Sequence, residues 1–446
     1  MRNSAPPQFH HFMELPEHIQ VKIMRNCDMK TVLSLSETCS HLHRLFLTTP
    51  NLTKRLKLVI KFTRDNNETV NKLSTMLANI SMGRKYNRVK LIYASEAAVS
   101  YVKPLLLKIL KLIGNSVKEL ELNSGNFVIN DIALLLRCFN HTEKLILSNL
   151  QIEEINEKVD TTEMLPNLKE LLMQDSKSSL LKLFESFTNL ARFKFHLSAR
   201  ESENFLYGPE KLETFILKQK ELKILDISRM HKNGLFSEDK FDHMNFKLDS
   251  LIANKFFLHK NNASNFFKKL THLKLIKLYD FHDARIFLDD SHYSKLLRII
   301  FSLPKLESVG IFNRTINIDD FDFLSSVRNH SVKFLEYDMW SSIVFEKMIE
   351  MFPKLEKIFF RCFTVKLREV PAEKLSIMHA SGSYNLEEFS YQPSNVSKNE
   401  KLFEEHVKNF VTRHTKIRHM TLGHSNWLEK GFGLSLNFWI ETLYHL

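Results

Sequence analysis

Between residues 86 and 446 one short pattern, apolar-x-x-apolar-x-apolar, returns thirteen times. It stands as Val89/Ile92/Ala94, Val117/Leu120/Leu122, Leu168/Leu171/Met173 and Leu190/Phe193/Phe195, and runs on through Leu273/Ile276/Leu278 and Leu306/Val309/Ile311 to Ile417/Met420/Leu422. One weaker copy has Thr142 in its first slot, ahead of Leu145 and Leu147. Successive copies start 22 to 33 residues apart. A period of this size marks a supersecondary unit that cannot bury its apolar face alone, so neighbours stack and share one core. The last two anchors of each copy are two residues apart, the spacing of one face of a strand. Between the strands the period lengthens, and residues 131–139, 179–187, 293–301 and 344–352 carry apolar groups at helical spacing. A further match, Leu212/Phe215/Leu217, starts ten residues before Leu222, too close for both to be strands. Strand then helix, repeated, predicts an α/β solenoid of about 13 degenerate units. The 36 Phe residues suit a core of many equivalent slots, and only 10 Gly argue against flexible or collagen-like chain.

Ahead of the array, residues 15–45 read as three short helices. Pro16 and Glu17 suit a helix start, the first because its missing N–H costs nothing there and the second through its charge. Ile19, Ile23 and Cys27 then recur at i, i+4 and i+8. Asp28 is a candidate N-cap for a second helix carrying Val32 and Leu35, and Ser36 for a third carrying Cys39, Leu42 and Leu45. A unit this small buries too little surface to be stable alone, which points to a docking module. Leu15, Pro16, Ile19, Ile23, Leu35 and Cys39 resemble the F-box, with Met24 and Leu42 standing where that family usually carries aromatic residues. The resemblance implies that Leu15, Pro16, Ile19, Ile23, Met24, Val32, Leu35, Cys39 and Leu42 contact a Skp-type adaptor and, through it, a cullin–RING ubiquitin ligase.

The array in turn resembles leucine-rich repeats of the long, helix-containing kind, although the usual Asn or Cys after the strand is mostly replaced. The two together resemble an F-box/leucine-rich-repeat protein. That implies a non-enzymatic substrate receptor of an SCF-type E3 ligase, acting as a monomer within a hetero-oligomeric complex. In such a strand the residue between the second and third anchors points away from the core, onto the concave face. Ile146, Leu172, Lys194, Asp226, Ile252, Lys277, Glu336 and Phe359 are therefore candidate contacts to a protein substrate that the sequence does not name. The division is an F-box at 10–50, a basic helical connector at 51–85 and the solenoid at 86–446.

Residues 51–90 hold ten Lys/Arg against Asp65 and Glu68, out of a formal net charge of +12. The bland reading is a solvated linker. The alternative is a scaffold or nucleic-acid-associated protein, but no aromatic–basic motif accompanies the charge. Cysteines at 27, 39, 138 and 362 are too few and scattered for a disulfide framework, which fits the cytoplasm or nucleus. No apolar run reaches the length of a membrane span, and residues 1–11 lack a signal-peptide core. Phosphate-loop, dinucleotide-binding and zinc-protease motifs are missing, so no cofactor and no enzyme activity is expected. Cys39, His41 and His43 do not converge on one helix face, so they are not expected to hold a metal. His282, Asp283, Asp289, Asp290 and His292 sit in the longest gap between repeats, a partner-contact candidate.

Overall fold

The computed structural model describes residues 12–53, 57–62, 70–75, 86–93, 99–153, 164–197, 208–229, 247–254, 263–279, 290–312, 326–337, 350–361, 388–392 and 419–422, with single residues 68, 161, 244, 324 and 348. The chain divides into two compact units, Met1–Leu190 and Ala191–Leu446.

The first unit opens with a 3-10 turn and four helices: α1 (Glu17–Asn26), α2 (Met29–Thr38), α3 (Ser40–Thr48) and the single turn α4 (Pro50–Thr53). Pro16 is the N-cap of α1, and its carbonyl accepts from the Ile19 and Gln20 amides. Asp28 caps α2 as expected, its carboxylate accepting from the Thr31 amide at 3.0 Å and the Thr31 hydroxyl at 2.7 Å. Ser36 is not the cap of α3: it lies inside α2, where its hydroxyl donates to the Leu33 carbonyl, and Cys39 takes the N-cap position. The segment from 29 to 38 keeps helical spacing through Ser36, so the helix has no reason to stop there.

Strands β1 (Lys57–Phe62), β2 (Arg88–Tyr93), β3 (Glu119–Val128), β4 (Lys144–Glu153) and β5 (Glu170–Gln174) follow, each paired in parallel with the next. Between β2 and β4 run α5 (Val99–Ile113) and α6 (Ile129–Leu136). Two sequence expectations need correction. The segment 51–85 is not a wholly helical connector, because β1 lies inside it and pairs with β2, placing Leu58, Ile60 and Phe62 opposite Val89, Leu91 and Tyr93. The first repeat also slips by three residues. Val89 pairs with Leu120, a second anchor, so the core positions are Val89 and Leu91, and Ile92 faces the other way, half-buried.

The second unit holds β6 (Arg192–His196), β7 (Ile224–Ile227), β8 (Ser250–Asn254), β9 (Leu275–Tyr279), β10 (Ser308–Phe312), β11 (Phe334–Tyr337), β12 (Lys357–Arg361), β13 (Glu388–Gln392) and β14 (His419–Leu422), again parallel and in chain order. Its helices include α7 (Pro209–Leu217), α8 (Ala263–Lys269) and α9 (Asp290–Phe301). The competing match at Leu212/Phe215/Leu217 is therefore helix, and Leu225/Ile227 is the strand. Each unit is a parallel sheet with helices, a solenoid-like α/β arrangement.

Repetition is visible in backbone detail that the sequence did not flag. Ser124, Asn149 and Asp175 follow equivalent strand positions and have left-handed φ values of 60°, 55° and 50°. Asn and Asp tolerate that region better than most residues, because their short polar side chains bond locally. The core is built from stacked equivalent slots. Phe62 stacks on Tyr93 at 4.4 Å and Tyr93 meets Phe127 edge-on at 4.6 Å, one aromatic each from β1, β2 and β3.

Candidate functional site

The helical module sorts the expected adaptor contacts into three groups. Met24, Val32 and Leu42 are 0%, 0% and 2% exposed and form the module's core with Leu45, Phe46 and Leu52. In this structure they hold the helices together and lie in the interior of the module, not on its surface. Met24 occupies its slot because the inner side of α1 is Gln20 and Met24, spaced i and i+4. Leu35 and Cys39 are half-buried against that core. Leu15 and Ile19 are half-buried, Pro16 is exposed, and Ile23 is 37% exposed, all off that core. Of the stripe read from the sequence, Ile19 and Ile23 lie off that core while Cys27 packs against it; Met13, just ahead of α1, is 48% exposed.

Polar bonds fix this outer stripe. Gln20, 1% exposed, donates from Nε2 to the Leu15 carbonyl at 2.8 Å and the Met13 carbonyl at 3.3 Å. Its Oε1 lies 3.1 Å from His41 Nε2 on α3. Arg44 of α3 reaches Glu17 of α1 at 3.2 Å. The turn carrying Met13 and Leu15 is therefore pinned to α1, and α1 to α3. Sequence reading missed Gln20, whose signal was its place on the Met24 stripe. On its other side the module's core meets Tyr86, just before β2.

The residues expected on the outward side of the sheet fall into one register row within each unit. In the first unit Lys90, Glu121, Ile146 and Leu172 are cross-strand partners in succession. In the second unit the register runs Lys194, Asp226, Ile252, Lys277, Gly310, Glu336, Phe359, Ser390 and Thr421. The side chain of Phe359 lies outside the described residues. The row is drier than expected: Leu172, Asp226 and Glu336 are only 8%, 9% and 2% exposed, while Ile146 and Ile252 are half-buried.

Its charges are matched within the sheet. Glu121 accepts from Lys57 at 2.9 Å and also from Lys90. Burial pushes the Glu121 carboxyl up, and the two lysines outweigh it, leaving it below its ordinary value. Arg88 and Lys144 flank Glu119 at 3.7 and 3.2 Å, and Lys118 and Lys169 flank Glu143 at 2.9 and 3.5 Å. Of the basic residues at 51–90, Lys57, Arg88 and Lys90 pair with carboxylates of the neighbouring strand β3. In the second unit Asp226 lies 3.9 Å from Lys194 Nζ and 2.8 Å from His196 Nε2, and accepts from the Ser228 hydroxyl at 2.9 Å. Ser228 Oγ is also 3.0 Å from the same His196 nitrogen. A nucleophile relay needs Ser and Asp on opposite ring nitrogens. This cluster therefore locks β6 to β7 rather than activating a hydroxyl.

Among the described residues no group of three His, Cys, Asp or Glu could hold a metal, and no helix is long and apolar enough to cross a membrane. Of the acidic–histidine loop, His282, Asp283 and Asp289 lie outside the described residues.

The F-box domain family matches residues 12–54, the stretch from the opening 3-10 turn through α4. No curated protein matches the chain.

Proposed function

We propose that this chain is the substrate-recognition subunit of an SCF-type (cullin–RING) E3 ubiquitin ligase and does no chemistry itself. The F-box at 12–54 supports an adaptor-binding role in general. The observation that carries the finer reading is the orientation of α1. Its inner side, Gln20 and Met24, is sealed, while Pro16, Ile19 and Ile23 form an outer apolar stripe braced by Gln20 and Glu17. An apolar stripe held open on a small helical unit fits a Skp-type adaptor, which would complete its burial. The row of each unit would then offer an apolar contact to a protein substrate, Ile146 in the first and Ile252 in the second. Free thiols at Cys27, Cys39 and Cys138 fit a reducing compartment, cytoplasmic or nuclear. The ion pairs of Lys57, Lys72, Arg88 and Lys90 weigh against the nucleic-acid alternative.

The test is co-purification of the full chain with the adaptor and a cullin, beside the Ile23→Asp variant. The adaptor and cullin accompany the parent chain and are lost from the variant, whose melting curve stays unchanged. A variant that retains the adaptor, or a parent chain that never binds it, removes the proposal.

A further inference from the structure

Successive strands of the sheet are tied back to their predecessors in one way. The amide of the first strand residue donates to a carbonyl just ahead of the preceding strand: Glu119 to Asn87 at 3.0 Å, Lys144 to Lys118 at 3.0 Å and Glu170 to Glu143 at 2.9 Å. Ile224, Ser250 and Leu275 repeat the bond in the second unit, to Ala191, Lys223 and Asp249. Lys57 holds the same register position on β1, across from Arg88 and then Glu119. By alternation along the strand, Lys57, Val59 and Lys61 turn their N–H and C=O groups to the side away from β2. Among the described residues nothing pairs with that side, since β1 is the first strand and its one neighbour is β2.

The same three residues are exposed, Val59 at 43%. Ile60 and Phe62 are buried, and Phe62 stacks on Tyr93, so the strand is anchored through its inner face while its edge stays open. The edge is also basic. On the outward face of β1, β2 and β3, Lys57, Lys61, Arg88 and Lys90 stand against Glu119 and Glu121. Glu121 takes Lys57 and Lys90, and Glu119 takes Arg88. Lys61 meets no carboxylate among the described residues. A second copy of this chain is a poor occupant. Antiparallel pairing of two such edges about Val59 sets Lys57 directly across from Lys61, and like charges in that position destabilise a strand pair.

We propose that the open edge of β1 is a docking site for an extended acidic segment of a partner protein, which joins the sheet as one more strand. The main chain of that segment pairs with the outward N–H and C=O groups of Lys57, Val59 and Lys61. An apolar residue lies beside Val59, and acidic residues two positions to either side lie beside the lysines. The pattern, acidic-x-apolar-x-acidic, reads the same in either chain direction. Lysines on an edge discourage pairing with unselected strands, so the residues that draw in an acidic segment also turn others away. The site uses none of the α1 residues of the adaptor stripe, so it stands or fails separately from the ligase reading.

The test uses the full chain and a capped, fluorescein-labelled peptide with the core Glu-Thr-Val-Thr-Glu, followed by anisotropy and by backbone hydrogen exchange. The peptide binds and slows exchange within residues 57–62. A version with Lys in place of Glu, and one N-methylated through its core, each bind about 10-fold or more weaker. Val59→Pro removes an outward N–H, a change that edge strands tolerate, so the melting temperature holds while affinity falls about 10-fold or more. Lys61→Glu, which leaves the backbone alone, has the same effect by reversing the charge. Lys182→Ala, which removes an exposed lysine of the turn Ser178–Phe184, leaves the affinity unchanged. Affinity unaltered in both Val59→Pro and Lys61→Glu, exchange slowed elsewhere but not at 57–62, or no binding at millimolar peptide overturns the proposal. Protection of 57–62 that grows with protein concentration in the absence of peptide also overturns it, and assigns the edge to a second copy.

Discussion

Lys277 and Glu336 sit two strands apart, yet Lys277 Nζ and Glu336 Oε2 are 2.5 Å from each other. The residue between them in the row is Gly310. A Cβ there would stand 3.0 Å from Lys277 Cγ and 3.0 Å from Phe312 Cε2, so glycine leaves the gap that the lysine crosses. Lys277 Nζ also lies 5.9 Å from the centre of the Phe312 ring, which stacks on Tyr279 at 4.5 Å. An unmatched carboxylate at this depth would be costly, because Glu336 is only 2% exposed.

Lys277→Ala is therefore expected to destabilise the second unit by about 3 kcal/mol, since it removes an ammonium that stands against a buried carboxylate. The double change Lys277→Met, Glu336→Met recovers most of that loss. Gly310→Ala costs less, about 1–2 kcal/mol, as Lys277 and Phe312 shift to admit a methyl group. Urea unfolding of the three variants checks the order; a lysine variant as stable as the parent removes the pair from the stability of the fold.

Asp226 predicts an acid dependence. Burial pushes its carboxyl up, but the His196 hydrogen bond and charge, with the Ser228 hydroxyl and amide, outweigh it and hold it below its ordinary value. A carboxyl depressed in the folded chain contributes stability above its unfolded value of about 3.9 and loses it as pH falls through the lower native value. Stability measured from roughly pH 5 down to pH 2 should fall less steeply in Asp226→Asn than in the parent. The variant should also be weaker near neutral pH. Identical acid limbs would show that the carboxylate contributes nothing.

Neighbours on α1 should behave oppositely. Ile23→Asp leaves the melting temperature within error and abolishes adaptor binding. Met24→Ala opens a cavity in the core of a small module and costs about 2–4 kcal/mol. Its loss of adaptor then follows from unfolding, which circular dichroism of the 12–54 helices detects. Equal destabilisation by both changes would mean that the outer stripe is covered.

Ile146→Asp and Ile252→Asp probe the sheet row without the burial of Leu172, whose replacement would disturb the core. Each is expected to remove co-purifying proteins other than the adaptor and cullin. Fold is followed in parallel by thermal melting, and an unchanged set of partners would place the substrate elsewhere.

Local patterns carried the reading far where a single strand or helix turn was enough to define a position. The apolar-x-apolar alternation was enough to place residues as distant as Lys194 and Phe359 in one register row. The Asp28 cap was legible because a cap is a matter of three neighbouring residues. Strand β1 was missed although Leu58, Ile60 and Phe62 alternate along it, because the lysines and arginines around it read as linker. The first repeat slipped because Leu91, Ile92 and Tyr93 are all apolar, so alternation alone left two frames open until pairing with Leu120 chose one.

Chain order was thus sufficient for the period, most of the strands and the resemblance at the front end, since each rests on contacts a few residues long. Which side of α1 faces inward, and which carboxylate meets which lysine, depended on groups brought together from far apart. Gln20 finds His41 across 21 residues, and Lys277 finds Glu336 across 59. Burial and charge pairing are properties of the packed neighbourhood, and that neighbourhood exists only once the chain has folded.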